Sequence, residues 1–140
     1  MKGYPVLVCA CLCLAGCFRS GPERAEVVGS VKLDGVLIDE GAIQFIPDEG
    51  TQGPSAGEAI AQGKYAIPRA KGVVVGKNRV VLNGNRKTGR KVQDPTKPPG
   101  TLTDEVVEAF PPRFNSESTL IREIKPGTNT LDFDLKTEDK

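Results

Sequence analysis

The chain has 140 residues, enough for one domain, with 26% charged residues and a net charge of +1. It contains no His and no Trp, which excludes Ser-His-Asp and Cys-His catalysis, His-ligated zinc and imidazole acid-base chemistry. The near-zero charge gives no global pull toward nucleic acid or an anionic bilayer, and 16 Gly with 11 Pro point to many turns.

All four cysteines fall in residues 9–17, CACLCLAGC. Behind Lys2 runs an apolar stretch, Tyr4 to Leu14. As a helix of about 11 residues it would span roughly 16 Å, half a bilayer core, so it predicts a secretory signal rather than a membrane span. Leu14-Ala15-Gly16-Cys17 resembles the lipobox of bacterial lipoproteins. That resemblance implies cleavage before Cys17 and acylation of its thiol, which makes residues 1–16 a signal peptide and residues 17–24 a lipidated Cys with its tether. Cys9, Cys11 and Cys13 leave with the signal, so neither a thiolate metal site nor a disulfide framework is expected. Removing the leader takes Lys2 with it and leaves the charges balanced. Phe18 to Arg24 reaches at most roughly 23 Å, which keeps the domain near the bilayer.

From Ala25 the pattern turns to a period of two. Val27, Gly29, Val31 and Leu33 share one face, with Glu26, Ser30 and Lys32 on the other. Asp34-Gly35 is a turn. Ile43 and Phe45 are in phase in 41–47, which Pro47 ends. Residues 48–54 read as loop, 56–60 as a short strand and Ala61-Gln62-Gly63 as a turn. Tyr65 and Ile67 point inward from 64–68, and Val80 with Leu82 from 77–82, where Asn83-Gly84 marks the end. Residues 85–100 carry Arg86, Lys87, Arg90, Lys91 and Lys97 against Asp94, with three prolines, and predict a basic, Pro-rich loop. Residues 101–118 show no clear period. Leu120 and Ile124 are in phase in 119–125, and Leu131, Phe133 and Leu135 alternate with Asp132 and Asp134.

Seven short strands separated by turn signals, with no helical period, predict an all-β sandwich over residues 25–137. Two stretches, VVGSVKLDGVLIDEGAIQFIP (27–47) and FPPRFNSESTLIREIKPGTNTLDFDL (110–135), flank GKYAIP and VVVGKNRVVL. In this order they resemble the small planctomycete lipoproteins loosely called carboxypeptidase regulatory-like or transthyretin-like. The resemblance implies a seven-stranded Greek-key β-sandwich, transthyretin-like or immunoglobulin-like, exported and lipid-anchored. The chain departs from it at Asn78, where relatives carry an aromatic, and at Arg122, where they carry an apolar residue; both positions read as sheet edges or a polar patch. The transthyretin-like architecture also hosts a hydrolase of 5-hydroxyisourate, but without His and with the ending KTEDK this chain lacks that enzyme's motifs.

The candidate binding surface combines the basic residues Arg86, Lys87, Arg90 and Lys91 with Phe110, Arg113 and Phe114. The two Phe flanking a Pro pair form a candidate exposed platform, with Phe114 alternatively pinning the loop to the sandwich edge. A basic run without interleaved aromatics disfavours nucleic acid. Asp132 and Asp134, with Glu123 placed opposite, lack the oxygen-rich loop that calcium needs, as does Asp48-Glu49. Asp104, Glu105 and Glu108 are the acids a carboxylate hydrolase would use, given a cleft. The expectation is a monomeric, non-catalytic structural or protein-interaction module of the cell envelope, with no cofactor and no metal. It is anchored through Cys17 on the periplasmic or cell-surface side, the outer membrane favoured over the inner. Its partner is an envelope protein or, alternatively, a glycan or other ligand.

Overall fold

The computed structural model describes residues 21–138, so the expected signal segment 1–16, Cys17 and tether residues 18–20 lie outside the described residues. The chain is all-β. Its strands are β1 (Arg24–Leu33), β2 (Val36–Leu37), β3 (Glu40–Pro47), β4 (Ala56–Ala61), β5 (Lys64–Ile67), β6 (Val73–Val74), β7 (Gly76–Gln93), β8 (Leu102–Glu108), β9 (Ile121–Ile124), β10 (Thr128–Thr130) and β11 (Phe133–Leu135). Single 3₁₀ turns occupy Arg69–Lys71 and Pro112–Phe114.

These strands form a curled, mainly antiparallel sheet in the order β10-β1-β5-β4-β3-β7-β8. Two strands organise it. Along one edge β1 pairs antiparallel with β6, β5 and β2, and along the other it pairs parallel with β10 and β11. β7 pairs with β3 on one side and with β9, then β8, on the other. Between β4 and β5 a single pair, Ala61↔Lys64, is in register, so the sheet bends sharply there. Lys125 to Gly127 carries the chain from the edge of β7 to the edge of β1.

The period-two pattern decides what faces the core. Val27, Val31 and Leu33 from β1, Ile43 and Phe45 from β3, Ile67 from β5, and Val80 and Leu82 from β7 are all buried. Phe45, Tyr65 and Phe133 form a chain of tilted rings with centroids 6.4 Å apart. The turns follow from backbone chemistry. Asp34-Gly35 and Gln62-Gly63 each hold two consecutive positive φ angles, the type I′ geometry whose twist matches that of the hairpin strands it joins.

Asn83-Gly84 is different. No turn forms there and β7 runs straight through it to Gln93. A Cβ at Gly84 would lie 2.9 Å from Cε2 of Phe110 and 3.0 Å from Cγ2 of Ile38, so the glycine serves close packing within a strand. The expected loop at 85–100 is therefore corrected: residues 85–93 are strand, residues 102–108 form an unexpected return strand, and only 94–101 connect them. Pairing between β3 and β7 stops at Glu40↔Asn85. Beyond it β7 and β8 leave the body as a two-stranded arm, both faces exposed along β7 from Arg86 onward.

The body has two ends. Arg24, where the chain enters β1, pairs with Val74 at one. Leu33, the β1–β2 turn, Glu40 and the root of the arm are at the other, separated from Arg24 by the length of β1, about 30 Å.

At Gly29 an added Cβ would sit 1.8 Å from the carbonyl oxygen of Leu131, and at Gly21 it would meet nothing within 4 Å. Gly29→Ala is expected to cost about 3 kcal/mol or more of unfolding free energy. Gly21→Ala is expected to stay within about 0.5 kcal/mol of wild type. Urea denaturation of the two variants checks both.

Candidate functional site

Two acids of β8 and one in the turn face the basic run. Lys87 and Lys91 reach the Asp104 carboxylate at 3.3 and 2.6 Å. Arg90 donates from Nε and Nη2 to the two oxygens of Glu105, both at 3.0 Å, the bidentate geometry a planar guanidinium favours. Thr88 adds its hydroxyl to Glu105 at 2.6 Å. In the turn Lys97 meets Asp94 at 3.4 Å, and Asp94 accepts from the backbone and hydroxyl of Thr96. The register shifts between Lys87 and Lys91, where Gly89 takes a φ of +82° and makes the bulge.

These contacts depress the acids. Hydrogen bonds from Lys91 and Lys87 lower the Asp104 pKa, and those from Arg90 and Thr88 lower that of Glu105. Both carboxylates are held ionised, whereas a general acid at neutral pH needs its pKa raised.

Arg86 differs from the other four cations of the arm: among the described residues it makes no ion pair with an arm carboxylate, and its charge acts instead, across a cleft that both line, on Asp34 of the first turn, whose pKa it helps to lower. Arg86 lies at the arm's root, where three clefts meet. The first, about 470 Å³, is open and is lined by Arg86, Glu108, Phe110, Pro112, Asn115 and Thr137. The second and third, about 290 and 360 Å³, both include Asn85, Arg86 and Lys87. Around them Val36 is 68% exposed and Val106 50% exposed.

The aromatic half of the predicted surface is not where it was expected. Phe110 is 3% exposed and belongs to the core. Glu108 Oε1 fixes it there by accepting from the backbone N–H of Gly84 at 3.0 Å and of Phe110 at 3.1 Å. An exposed platform at 110–114 is thereby corrected, since the ring fills the space that Gly84 leaves. Phe114 is half-buried against the core, with the Arg113 guanidinium 4.8 Å from its ring centroid. Arg113 also donates to the carbonyl of Lys136, so it pins the 3₁₀ turn to the C-terminal segment. Arg113 and Phe114 line a separate cleft with Thr119 and Leu120. Arg86 and Phe110 thus share a cleft, Arg113 and Phe114 share another, and Arg90 and Lys91 lie out along the arm.

Other polar residues have structural duties. Asn78 is fully buried, neither edge nor patch, and its Nδ2 donates to the carbonyls of Val74 and Gly76 at 2.8 and 3.0 Å, holding the bend between β6 and β7. Arg122 lies half-buried on β9 with its guanidinium 5.2 Å from the Phe133 ring centroid. Asp132 accepts from the backbone and hydroxyl of Ser30, both at 2.8 Å, which lowers its pKa. Thr137 does the same for Asp34, and so ties the C-terminal segment to the first turn. Glu123 stands opposite Lys77 rather than Asp132. Among the described residues no group of three or more metal-ligating side chains converges, and no helix is long and apolar enough to cross a membrane.

Comparisons with protein-family models, with curated proteins and with solved structures return no match.

The arm should respond to acid before the body does. Its carboxylates have folded pKa values below the ordinary 3.8 and 4.5, so their contribution is complete above those values and fades as pH falls through the lowered ones. Lowering pH from about 5 to about 3 is expected to raise amide exchange, corrected for intrinsic rate, in 86–108 while Ile43 and Leu82 stay protected. Glu105→Gln is expected to loosen the arm already at neutral pH.

Proposed function

We propose that this is a bacterial lipoprotein whose β-domain serves a structural or protein-interaction role at the cell envelope, with the arm and its root as the contact region. Residues 1–16 direct export, and Cys17 carries the lipid. Residues 17–24 tether the domain to the periplasmic or cell-surface side of a membrane, the outer one favoured. Leu14-Ala15-Gly16-Cys17 behind an apolar stretch supports the anchor. Several buried acyl chains hold firmly where one binds marginally, since each CH₂ contributes about 0.8 kcal/mol.

The observation that carries the interaction reading is polarity of the fold. The chain enters β1 at one end, and the arm leaves from the other. A domain held by its N-terminus presents the arm root away from the bilayer, where a partner has access. The arm has no core of its own, and a two-stranded ribbon is marginal in water, so this projection suits recognition better than support.

The finer architecture we propose is a seven-stranded Greek-key sandwich of the transthyretin-like kind, as the resemblance to planctomycete lipoproteins implies. One layer is β4-β3-β7-β9 and the other β5-β1 with β10 and β11. The single register pair between β4 and β5 supports a division at that corner.

A second reading is favoured by the open cleft beside Arg86. Its volume of about 470 Å³ and its lining by Arg86, Glu108, Asn115 and Thr137 are compatible with a small polar ligand such as a glycan unit.

Metabolic labelling with a fatty-acid probe tests the anchor. Wild type is expected to carry the label and sediment with membranes, and Cys17→Ser to lose both; a labelled Cys17→Ser chain overturns the assignment. A photo-crosslinking side chain at Val92, on the arm, is expected to trap an envelope protein that one at Thr51, at the entry end, does not. Adducts with glycan alone favour the second reading.

A further inference from the structure

We propose that the outer edge of β7, beginning at Arg86, is a docking site for an extended segment of a partner protein that pairs with it as an added strand and sets a carboxylate against Arg86. The proposal deepens the interaction reading and rests on it, but not on the lipid anchor.

The edge is free because β3 leaves it. Glu40 is the last β3 residue in register with β7, opposite Asn85, and the chain before it turns away to pair with β1 as β2. The backbone N–H of Ala109 donates to the carbonyl of Gly84, so Gly84 faces β8. Successive residues of a strand alternate edges, so Asn85 faces β3 and Lys87 faces outward on the line β3 has vacated. Clefts lie beside this edge: one is walled by Leu33, Val36, Leu37 and Ile38, and another by Glu40 and Val106. Both include Asn85, Arg86 and Lys87. An added strand makes main-chain hydrogen bonds and sends alternate side chains to its two sides, and the clefts provide for both.

Charge selects the occupant. Lys87, Arg90, Lys91 and Lys97 already have carboxylates within the arm; Arg86 has none in ion-pair contact among the described residues and only a longer-range interaction with Asp34 across the cleft. A guanidinium beside partly apolar walls favours a carboxylate. Asp39 and Glu40 near the edge repel a run of acids, so one acidic residue among apolar or neutral ones fits. A second copy pairing like edge to like edge fits poorly. Antiparallel pairing of β7 with another β7 sets Arg86, Lys87, Arg90 and Lys91 against themselves, and pairing β8 with β8 does the same for Asp104 and Glu105.

Two synthetic peptides test the site, alternating threonine and valine around a central glutamate in one and a central lysine in the other. Hydrogen exchange is followed on the detergent-solubilised full chain. The glutamate peptide is expected to slow exchange in 86–93 and to bind about tenfold more tightly than the lysine peptide. Arg86→Ala is expected to erase that difference. Lys87→Pro, which removes an outward N–H, is expected to abolish protection of 86–93 while leaving 102–108 protected as before. Equal binding of the two peptides overturns the proposal. So does peptide-dependent protection confined to 110–116, or concentration-dependent self-association that protects 86–93 without peptide. If the glutamate peptide fails to bind while crosslinking at Val92 still traps an envelope protein, the site is wrong and the interaction reading stands.

Discussion

Between β10 and β11 the parallel ladder with β1 is interrupted at Leu131 and Asp132, and the way that gap is closed governs both ends of the molecule. Leu131 keeps its N–H on the carbonyl of Val28, at 2.8 Å. Its carbonyl accepts from the Tyr65 hydroxyl, also at 2.8 Å, and passes so near Gly29 that only a hydrogen fits there. Asp132 takes both donors of Ser30. Both backbone groups of Leu131 and the Asp132 carboxylate thus find partners on neighbouring strands. Burial pushes the Tyr65 phenol pKa upward, with the Asp132 charge adding to the effect, so the hydroxyl stays a donor throughout the physiological range. β1 is thereby held along both edges for most of its length, and with β7 it links the entry end of the chain to the end where the arm begins.

The alternation in the sequence reports burial on one face, and it located strands wherever one face is buried. Val27, Val31 and Leu33, or Phe133 and Leu135, show the pattern because solvent is on the other side. The arm buries neither face, so Arg86 to Gln93 has no alternation to read. Its signal lay elsewhere, in the match between the cations at 87–91 and the acids Asp104 and Glu105 across a turn rich in Pro and Gly. Asn83-Gly84 misled for a related reason. The dipeptide favours a hairpin when nothing crowds it, but Phe110, twenty-six positions later by sequence number, needs the space its missing Cβ leaves. No local window contains both residues.

The candidate surface was legible in part. Arg86 was among the residues named, but its distinction from its neighbours depends on which cations the arm neutralises, and composition cannot tell them apart. Phe110 and Phe114 flank a Pro pair, and the sequence offers both as a platform or Phe114 as a pin for the loop. The backbone of Phe110 is bound by Glu108 and its ring is sealed, while Phe114 is half-buried against the core with Arg113 over its ring. Asn78, a polar residue where the resemblance implies an aromatic, suggests a sheet edge or a polar patch, but a lone amide buried among apolar neighbours is costly only if its polar atoms are left bare. The Asn78 Nδ2 is satisfied by the backbone carbonyls of Val74 and Gly76, which ties β6 to the start of β7, while its Oδ1 is buried without a hydrogen-bond partner among the described residues.

Stability in this protein is divided unevenly, and the division bears on recognition. The body is held by aromatic and aliphatic packing and by ladders on both edges of β1. The arm is held by one ladder and by exposed ion pairs, which contribute little individually and weaken with salt. Elements of that kind open first, and ligand-binding elements are drawn from them. An added strand would supply β7 with a second ladder where it has one, so binding and ordering of the arm would be coupled. The same coupling explains why the arm carries acids and bases in separate strands. Opposite charges across the ribbon hold it together, and like charges along each edge disfavour pairing of two copies through the same edge.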